Sequence, residues 1–311
     1  MSPQKNKEIA MIKTHFNNQL KKLGYPEGLT IEYSLSYCQG DGMSFYGNLD
    51  EDDVEKLMLR IYDPNTAGEN AVLRVKNLLV RKEALSMLEI LREADIGCCR
   101  MSIERNSHGH RYSHYNCMDL CHEVDFESFS EEHFEAIRAA GLVTGEVTDE
   151  HITRWQSIWN DFVSRLEHDI KSTSQQLEAE GYALVEGTPY EEVVSWEFNT
   201  ADYTVQLKEH PEHDFDIGCW DEELALQTIQ DIVDGKQRYL RLEAKILDRE
   251  TEEELASESI GGLVIDVNDR SYGSYRRELV SNAIAEVRKI QLKNAISEHH
   301  QMQESLVRKA A

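Results

Sequence analysis

The sequence predicts an α+β fold in which antiparallel sheets pack against helices. Apolar residues recur at three- and four-residue steps in some segments, which is typical of amphipathic helices, and at every second residue in others, which is typical of strands. The strand-like segments come in pairs joined by short turns, which indicates hairpins. With 311 residues, 40% of them hydrophobic and 29% charged, the chain can build a packed core and two units of ordinary size.

The chain opens with a predicted helix and a predicted hairpin. Apolar side chains at helical spacing over residues 6–23 indicate an amphipathic helix that ends at Gly24. Residues 30–37 and 43–49 alternate as two strands, and the turn Gln39–Gly42 joins them because its glycines can adopt positive φ. We take this turn as structural, since it lacks the motifs of phosphate-binding loops.

An acidic helix start follows the hairpin. Asp50 is a suitable N-cap, and the acids that follow it suit the positive end of a helix dipole. The remaining elements of the first half are a long helix, strands and a short helix over residues 72–94, 98–105, 111–124 and 131–140.

The second half repeats this order of elements. A long helix over residues 150–180 carries Trp155, Trp159 and Phe162 on one stripe, which we expect to pack against apolar surface. Further elements are predicted as strands over 193–207 and 215–219, a helix over 221–233, a hairpin over 239–265 and a helix over 272–298. We predict an internal duplication, with the turn Gln39–Gly42 equivalent to the connection around residues 199–202 and the 150–180 helix opening the second half.

The predicted domain organisation places the connector between the halves at residues 141–149, which contain two glycines. It gives an N-terminal α+β unit over 1–145, a C-terminal α+β unit over 146–298 and a frayed polar tail over 299–311.

The charge of the chain restricts its partners. Lys and Arg total 33 against 58 Asp and Glu, which gives a net charge of −25. Such a field repels the phosphate backbone of nucleic acids and steers the chain toward basic protein surfaces. The sequence has no apolar run of membrane-spanning length and no signal peptide, and its six cysteines lack the spacing of a disulfide framework. We therefore expect a cytoplasmic protein with no membrane association.

Three acidic clusters are candidate partner-binding residues. They comprise Asp50, Glu51, Asp52 and Asp53, then Asp221, Glu222 and Glu223, and finally Glu252, Glu253 and Glu254. One interpretation is local, because carboxylates at helix starts and turns stabilise those structures. The other is that acids spread over a rigid surface imitate DNA and compete for a basic channel.

A second candidate site is a cluster of histidines and cysteines between residues 108 and 122. Its members are His108, His110, His114, Cys117, Cys121 and His122. Zinc would suit such ligands, although only Cys117 and Cys121 approach the usual paired spacing. The alternative is a polar hairpin in which these two thiols share one strand face and are small core residues.

No motif of a nucleophile elbow, metalloprotease helix, kinase or phosphate-binding loop is present in the sequence. The sequence therefore favours a non-enzymatic role, and we predict no cofactor.

A resemblance adds a biological context. Residues 31–47 read IEYSLSYCQGDGMSFYG, and this hairpin resembles one in a group of uncharacterised bacteriophage and plasmid proteins, in which a strand leads to Ser-Gln-Gly-Asp-Gly-Ala and an aromatic strand. Cys38 and Met43 depart from the usual Ser and Ala. Residues 239–267 resemble another hairpin of such proteins. The resemblance implies a mobile-element origin, in which accessory proteins often inhibit host defence.

The leading hypothesis is a phage or mobile-element accessory protein that binds a host nucleic-acid-handling defence protein, such as a nuclease, through its acidic surface. One alternative is a metal-dependent enzyme or zinc-stabilised protein that uses the His108–His122 hairpin. The other is a virion or scaffolding component, which would form stable homo-oligomers.

Overall fold

The computed structural model describes residues 3–67, 71–96, 100–105, 117–212 and 220–310 of the chain. It is 52% helical and 24% strand and contains two antiparallel four-stranded sheets, which confirms the predicted α+β class. Across the described ranges, no helix is both long enough and apolar enough to cross a bilayer.

The chain divides into two compact units, and each is described by itself. The first unit is Ile12–Tyr182, and the second is Ala183–Ala311 together with Met1–Met11. This division falls well after the predicted boundary between residues 145 and 146. The physical reason is the long helix that starts at Asp149, because its apolar stripe is part of the core of the first unit.

The elements as far as residue 185 begin with helix α1 and end with helix α5. In chain order they are α1 (Pro3–Lys22), β1 (Thr30–Ser34), β2 (Gly42–Leu49), α2 (Glu51–Ile61), α3 (Ala71–Glu93), β3 (Met101–Arg105), β4 (Met118–His122), α4 (Glu131–Ala139) and α5 (Asp149–Val185). Short 3₁₀ turns lie at Pro64–Ala67 and Phe126–Ser128.

The first sheet is an antiparallel meander in the order β1-β2-β3-β4. Strand β2 pairs with β1 through residues 42–46 and with β3 through residues 47–49. The change of partner occurs at Gly47, whose φ of +150° is rare for L side chains and where a Cβ would lie 2.9 Å from the side chain of Leu29. Glycine at this position therefore allows β2 to pair with both β1 and β3.

The core of the first unit lies among this sheet, α1, α2, α3 and α5. Its fully buried members include Phe16, Phe45, Leu57, Trp159 and Phe162. The predicted burial of the α5 aromatic stripe is confirmed, since Trp155 is only 7% exposed. The predicted place of this helix is wrong: its aromatic residues pack in the first unit rather than opening the second.

The second unit has its own sheet and core. Its elements after α5 are β5 (Val193–Asn199), β6 (Tyr203–His210), α6 (Glu222–Val233), β7 (Gln237–Asp248), β8 (Glu254–Asp266) and α7 (Gly273–Ala310). The strands form a meander in the order β5-β6-β7-β8, and α7 packs Leu279, Ala283 and Val287 against the apolar face of that sheet. Helix α7 continues to Ala310, through the segment that the sequence predicted to fray.

The two units share an order of elements. Each has a hairpin, a helix with an acidic first turn, a second hairpin and a helix of 37 or 38 residues, and each sheet has its strands in sequential antiparallel order. The first unit also contains helices α3 and α4, which have no counterpart among the described elements of the second. The turn Gln39–Gly42 and the connection around residues 199–202 both join the first two strands of their sheets. The predicted strand over 215–219 and Cys98 and Cys99 of the predicted strand over 98–105 lie outside the described residues.

Candidate functional site

A strongly acidic exposed segment of the first unit lies on and around α4, over residues 123–150. We call this segment the acidic platform. It contains nine carboxylates and a single Lys or Arg, Arg138. All nine acidic side chains are exposed: Glu123, Asp125, Glu127, Glu131, Glu132, Glu135, Glu146, Asp149 and Glu150.

Aromatic packing beneath the acidic platform fixes its backbone. Phe129 stacks on Phe134 with ring centroids 5.7 Å apart and contacts Trp155 of α5 at the same centroid distance. Phe126 is buried and lies 6.2 Å from Phe129. Because these rings tie the 3₁₀ turn, α4 and α5 together, the carboxylates on these three elements are presented from a packed scaffold.

The charge of the acidic platform is almost uncompensated. In the described part of the chain, Glu131 is the only one of the nine acids with an ion pair, a 2.7 Å contact between its Oε1 and Arg138 Nη2. Like charges on such a surface raise the local negative potential and attract cationic partners. This surface is not among the acidic clusters predicted from the sequence, although its signal, nine acids against one cation, is present there.

The first predicted acidic cluster has a structural role. Asp50 caps α2 by accepting a hydrogen bond from the backbone N–H of Asp53 at 2.9 Å, and that bond lowers the pKa of Asp50. The Asp53 carboxylate in turn accepts a hydrogen bond from the backbone N–H of Asp50, and Asp53 is only 8% exposed. Arg92 of α3 forms ion pairs with Glu51 and Asp52 at 3.5 and 3.9 Å. The carboxylates of this cluster therefore have hydrogen-bond or ion-pair partners within the fold.

In the second and third clusters, some carboxylates stabilise the local structure and others are exposed to solvent. Asp221 caps α6 by accepting from the backbone N–H groups of Glu223 and Leu224, while Glu222 and Glu223 remain exposed. Glu252 lies in the β7–β8 turn with a positive φ of 58°.

The neighbouring Glu253 accepts a backbone hydrogen bond from Asp248, and its side chain is exposed. Glu254 pairs with Lys245 at 2.7 Å, and the Lys245 ammonium lowers the pKa of Glu254. The first cluster lies in the first unit, and the second and third clusters lie in the second unit.

The structure separates the described members of the histidine and cysteine cluster. Cys117, Cys121 and His122 lie on or beside β4, whereas His108, His110 and His114 lie outside the described residues. Cys117 and Cys121 are four residues apart along an extended chain, about 13 Å, while two thiolates on one zinc ion lie within about 4.6 Å of each other. These two thiols therefore do not fit a shared ion.

The alternative interpretation, in which Cys117 and Cys121 are core residues, is also wrong, because the opposite face of β4 points to the core. Met118 is buried and Leu120 packs against the core, while Cys121 is exposed and Cys117 is half-buried. Partial burial lowers the pKa of His122, whose ring lies 5.5 Å from that of Trp159, and the carboxylate of Glu167 opposes this shift. Among the described residues, no three His, Cys, Asp or Glu side chains are grouped to hold a metal ion.

The Gln39–Gly42 turn is organised by Asp41. Its carboxylate accepts hydrogen bonds from Ser34 Oγ at 2.7 Å, from the backbone N–H groups of Ser36 and Cys38 at 2.6 and 2.8 Å, and from the Tyr182 hydroxyl at 3.2 Å. These donors, led by Ser34, hold the pKa of Asp41 well below its usual range. Because the carboxylate already has four partners, its role is to fix the hairpin.

Comparison with known proteins gives a family and no function. No curated protein and no solved structure matches the chain. One family matches over residues 6–186, a range that includes the hairpin around Asp41, the acidic platform and the whole of α5. Since this match covers more than half of the sequence, the chain belongs to the family described as Domain of unknown function (DUF8835).

Proposed function

We propose that this protein is a non-enzymatic inhibitor that binds a basic surface of a host nucleic-acid-handling defence protein through the acidic platform. The observation that supports this proposal is the set of nine exposed carboxylates over residues 123–150, of which one has an ion pair in the described part of the chain. A rigid acidic surface competes for a basic groove without the entropic cost of ordering a loop. The resemblance to phage and plasmid proteins is consistent with such a role.

The net charge of −25 supports the same proposal at long range. A strongly negative field accelerates encounter with a cationic groove and disfavours direct binding to DNA or RNA. The partner class that fits is therefore a protein whose own ligand is a nucleic acid. Its basic groove would receive the acidic platform in place of the phosphates.

A competition experiment tests this proposal. The protein is titrated against labelled duplex DNA bound to each of a panel of purified nuclease complexes from bacterial defence systems. We expect displacement of DNA from at least one complex, with an apparent affinity that falls at least about tenfold between roughly 50 mM and 200 mM salt. No displacement from any complex, or displacement that salt leaves unchanged, would contradict the proposal.

Two matched triple variants locate the binding surface. Glu127→Gln, Glu132→Gln and Glu135→Gln remove three unpaired charges from the acidic platform, whereas Glu222→Gln, Glu223→Gln and Glu258→Gln remove three exposed charges from the second unit. The overall charge changes equally in both. We expect the first triple to weaken displacement at least about tenfold and the second to change it less than about threefold. Equal losses would assign the effect to net charge alone.

A further inference from the structure

A basic groove lies on the second unit of this acidic protein. It has a volume of about 570 Å³, and its lining includes Trp196 of β5 and three arginines of α7, Arg276, Arg277 and Arg288. Val280 and Ile284 form an apolar floor between the arginines. None of the three guanidinium groups has an ion pair with any residue that the structure describes, although the chain as a whole has an excess of carboxylates.

The groove is partly preorganised. The Arg276 guanidinium stacks over the Trp196 ring at 5.5 Å, and Trp196 in turn stacks on Phe198 with ring planes 8° apart. Stacking restricts the guanidinium plane and leaves its in-plane N–H donors available for a carboxylate or phosphate. Arg276 is therefore held ready for an anion before any ligand arrives.

Strand β5 adds a second recognition element beside the groove. It forms one edge of the described sheet, so its outer backbone groups have no strand partner there. Edge strands in proteins are usually protected, but β5 exposes Val193, Val194 and Phe198 by 46%, 47% and 55%. An extended peptide could pair with this edge and place alternate side chains toward α7, as in other proteins that bind peptides by strand addition.

We propose that the groove between β5 and α7 binds an extended acidic peptide segment of a partner protein. Arg277 and Arg288 are three helical turns apart, about 16 Å along the axis. Two side chains four residues apart on a strand are separated by about 13 Å, which the long arginine side chains can bridge. The recognised pattern is therefore an acidic residue, an apolar residue two positions later and a second acidic residue two positions after that.

The net charge favours a short peptide over a longer polyanion. A chain of charge −25 repels an extended nucleic acid along its whole length, whereas a segment with two carboxylates gains the contacts of three arginines at a smaller long-range cost. Val280, Ile284 and Trp196 also offer an apolar surface that suits a leucine or valine side chain and contributes nothing to phosphate binding. This site is independent of the acidic platform, which lies on the other unit.

The test measures fluorescence anisotropy of a labelled peptide of about nine residues with the full-length protein. The peptide carries glutamate at its third and seventh positions, leucine at its fifth and threonine elsewhere. We expect saturable binding that weakens at least about tenfold when both glutamates are replaced by glutamine, or when alternate backbone amides are N-methylated to block strand pairing. Absence of saturable binding up to about 1 mM would overturn the proposal.

Matched protein variants complete the experiment. Arg276→Gln with Arg288→Gln, and Arg288→Gln alone in case the double change perturbs folding, should each weaken peptide binding. Arg241→Gln with Lys293→Gln removes two exposed cations of the same unit outside the groove and should leave binding within about twofold. Three outcomes would each overturn the peptide assignment. The control pair could weaken peptide binding as much as the arginine variants do, inorganic phosphate could displace the labelled peptide as well as unlabelled peptide does, or the N-methylated peptide could bind as tightly as the unmodified one.

Discussion

At the scale of single residues, several carboxylates of this acidic chain are structural components rather than ligands for a partner. Asp41 organises a hairpin turn, Asp50 caps a helix, and Glu209 of β6 is 2% exposed within a cluster of hydrogen-bond donors. Such carboxylates have lowered pKa values because donors stabilise the ionised form. Acid should therefore weaken the fold through these residues.

Asp41 gives the first prediction. Asp41→Asn should lower stability at neutral pH, because an amide cannot accept as many hydrogen bonds as the carboxylate that Ser34, Ser36 and Cys38 contact. Since the pKa of Asp41 is lowered in the fold, its contribution is complete above the unfolded value of about 3.9 and declines as pH falls below that value.

Urea unfolding at several pH values measures this effect. The midpoint difference between the wild type and Asp41→Asn should be larger at pH 7 than near pH 2.5. A difference that stays constant with pH would show that the Asp41 charge is not responsible.

Glu209 gives the second prediction. Burial raises its pKa, but hydrogen bonds from Arg238 and Tyr272 and the charges of Arg238 and Arg270 more than offset this and lower it. Arg238 Nη2 donates to Glu209 Oε1 at 2.8 Å, and Glu209 is nearly inaccessible to water. Glu209→Gln leaves Arg238 without its counter-charge, which should cost about 3–5 kcal/mol in the free energy of unfolding.

The control for this change is Glu258→Gln, which removes an exposed carboxylate of β8. It should change the free energy of unfolding by less than about 0.5 kcal/mol. The effect of Glu209→Gln should also shrink as pH falls below about 4.3, the unfolded value for Glu, because the wild-type carboxylate then loses its advantage. Equal effects of the two changes at pH 7 would refute the buried-pair account.

At the scale of elements, the sequence predicted local structure better than tertiary placement. The helix starts at Asp50 and Asp221 followed from capping chemistry, and both caps are present. The core interpretation of β4 places Cys117 and Cys121 inward, whereas Met118 and Leu120 face the core. Cys and Met are both apolar enough for a core, so the alternation alone does not show which face is inward. The α5 stripe likewise predicted burial without specifying which core would receive it.

Gly187 gives a third prediction, about the packing of α6. A Cβ at this residue would lie 2.4 Å from Ile232 Cγ2 and 3.2 Å from the Tyr239 ring. Gly187→Ala should therefore cost about 1–3 kcal/mol through overpacking. Chemical denaturation of Gly187→Ala, Ile232→Ala and the double variant measures the coupling between the two residues.

The double variant should be more stable than the sum of the single losses predicts, because the shorter side chain at residue 232 makes room for the new methyl group. Strict additivity would mean that the close approach of Gly187 to Ile232 does not limit stability.

At the scale of the whole molecule, the internal duplication stays a prediction, and it rests on the order of elements rather than on residue identity. Both units place a hairpin, an acid-capped helix, a second hairpin and a long helix in the same order, and both long helices bury an apolar stripe against their own unit's sheet. The predicted duplication places α5 at the start of the second half, whereas the apolar stripe of α5 belongs to the core of the first unit. In the sequence, α5 ends at Val185, close to the start of β5 at Val193, and begins at Asp149, far from the end of β4 at His122. Sequence proximity therefore favours the second sheet, and only tertiary packing assigns α5 to the first core.

The candidate sites were less predictable than the fold. The acidic platform was visible in composition, but net charge alone does not separate exposed carboxylates from those that cap helices or pair with Arg92. The groove of the second unit could not be inferred from sequence, because Trp196 and Arg276 are 80 residues apart and meet only when α7 packs beside β5. Distances between elements are tertiary information that local patterns do not contain.

The final prediction concerns where the first unit ends. A fragment spanning residues 6–186 retains α5, whereas a fragment spanning 1–145 lacks it and with it Trp159, Phe162 and Leu166, each at most 1% exposed in the whole chain. Each such side chain contributes roughly 1.5–3 kcal/mol on burial, and their combined loss approaches the total stability of about 5–15 kcal/mol that domains usually have. The longer fragment should show a cooperative urea transition with near-native helical circular dichroism, and the shorter fragment should show neither. Cooperative unfolding of the 1–145 fragment would contradict the assignment of α5 to the first unit and support the boundary predicted from the sequence.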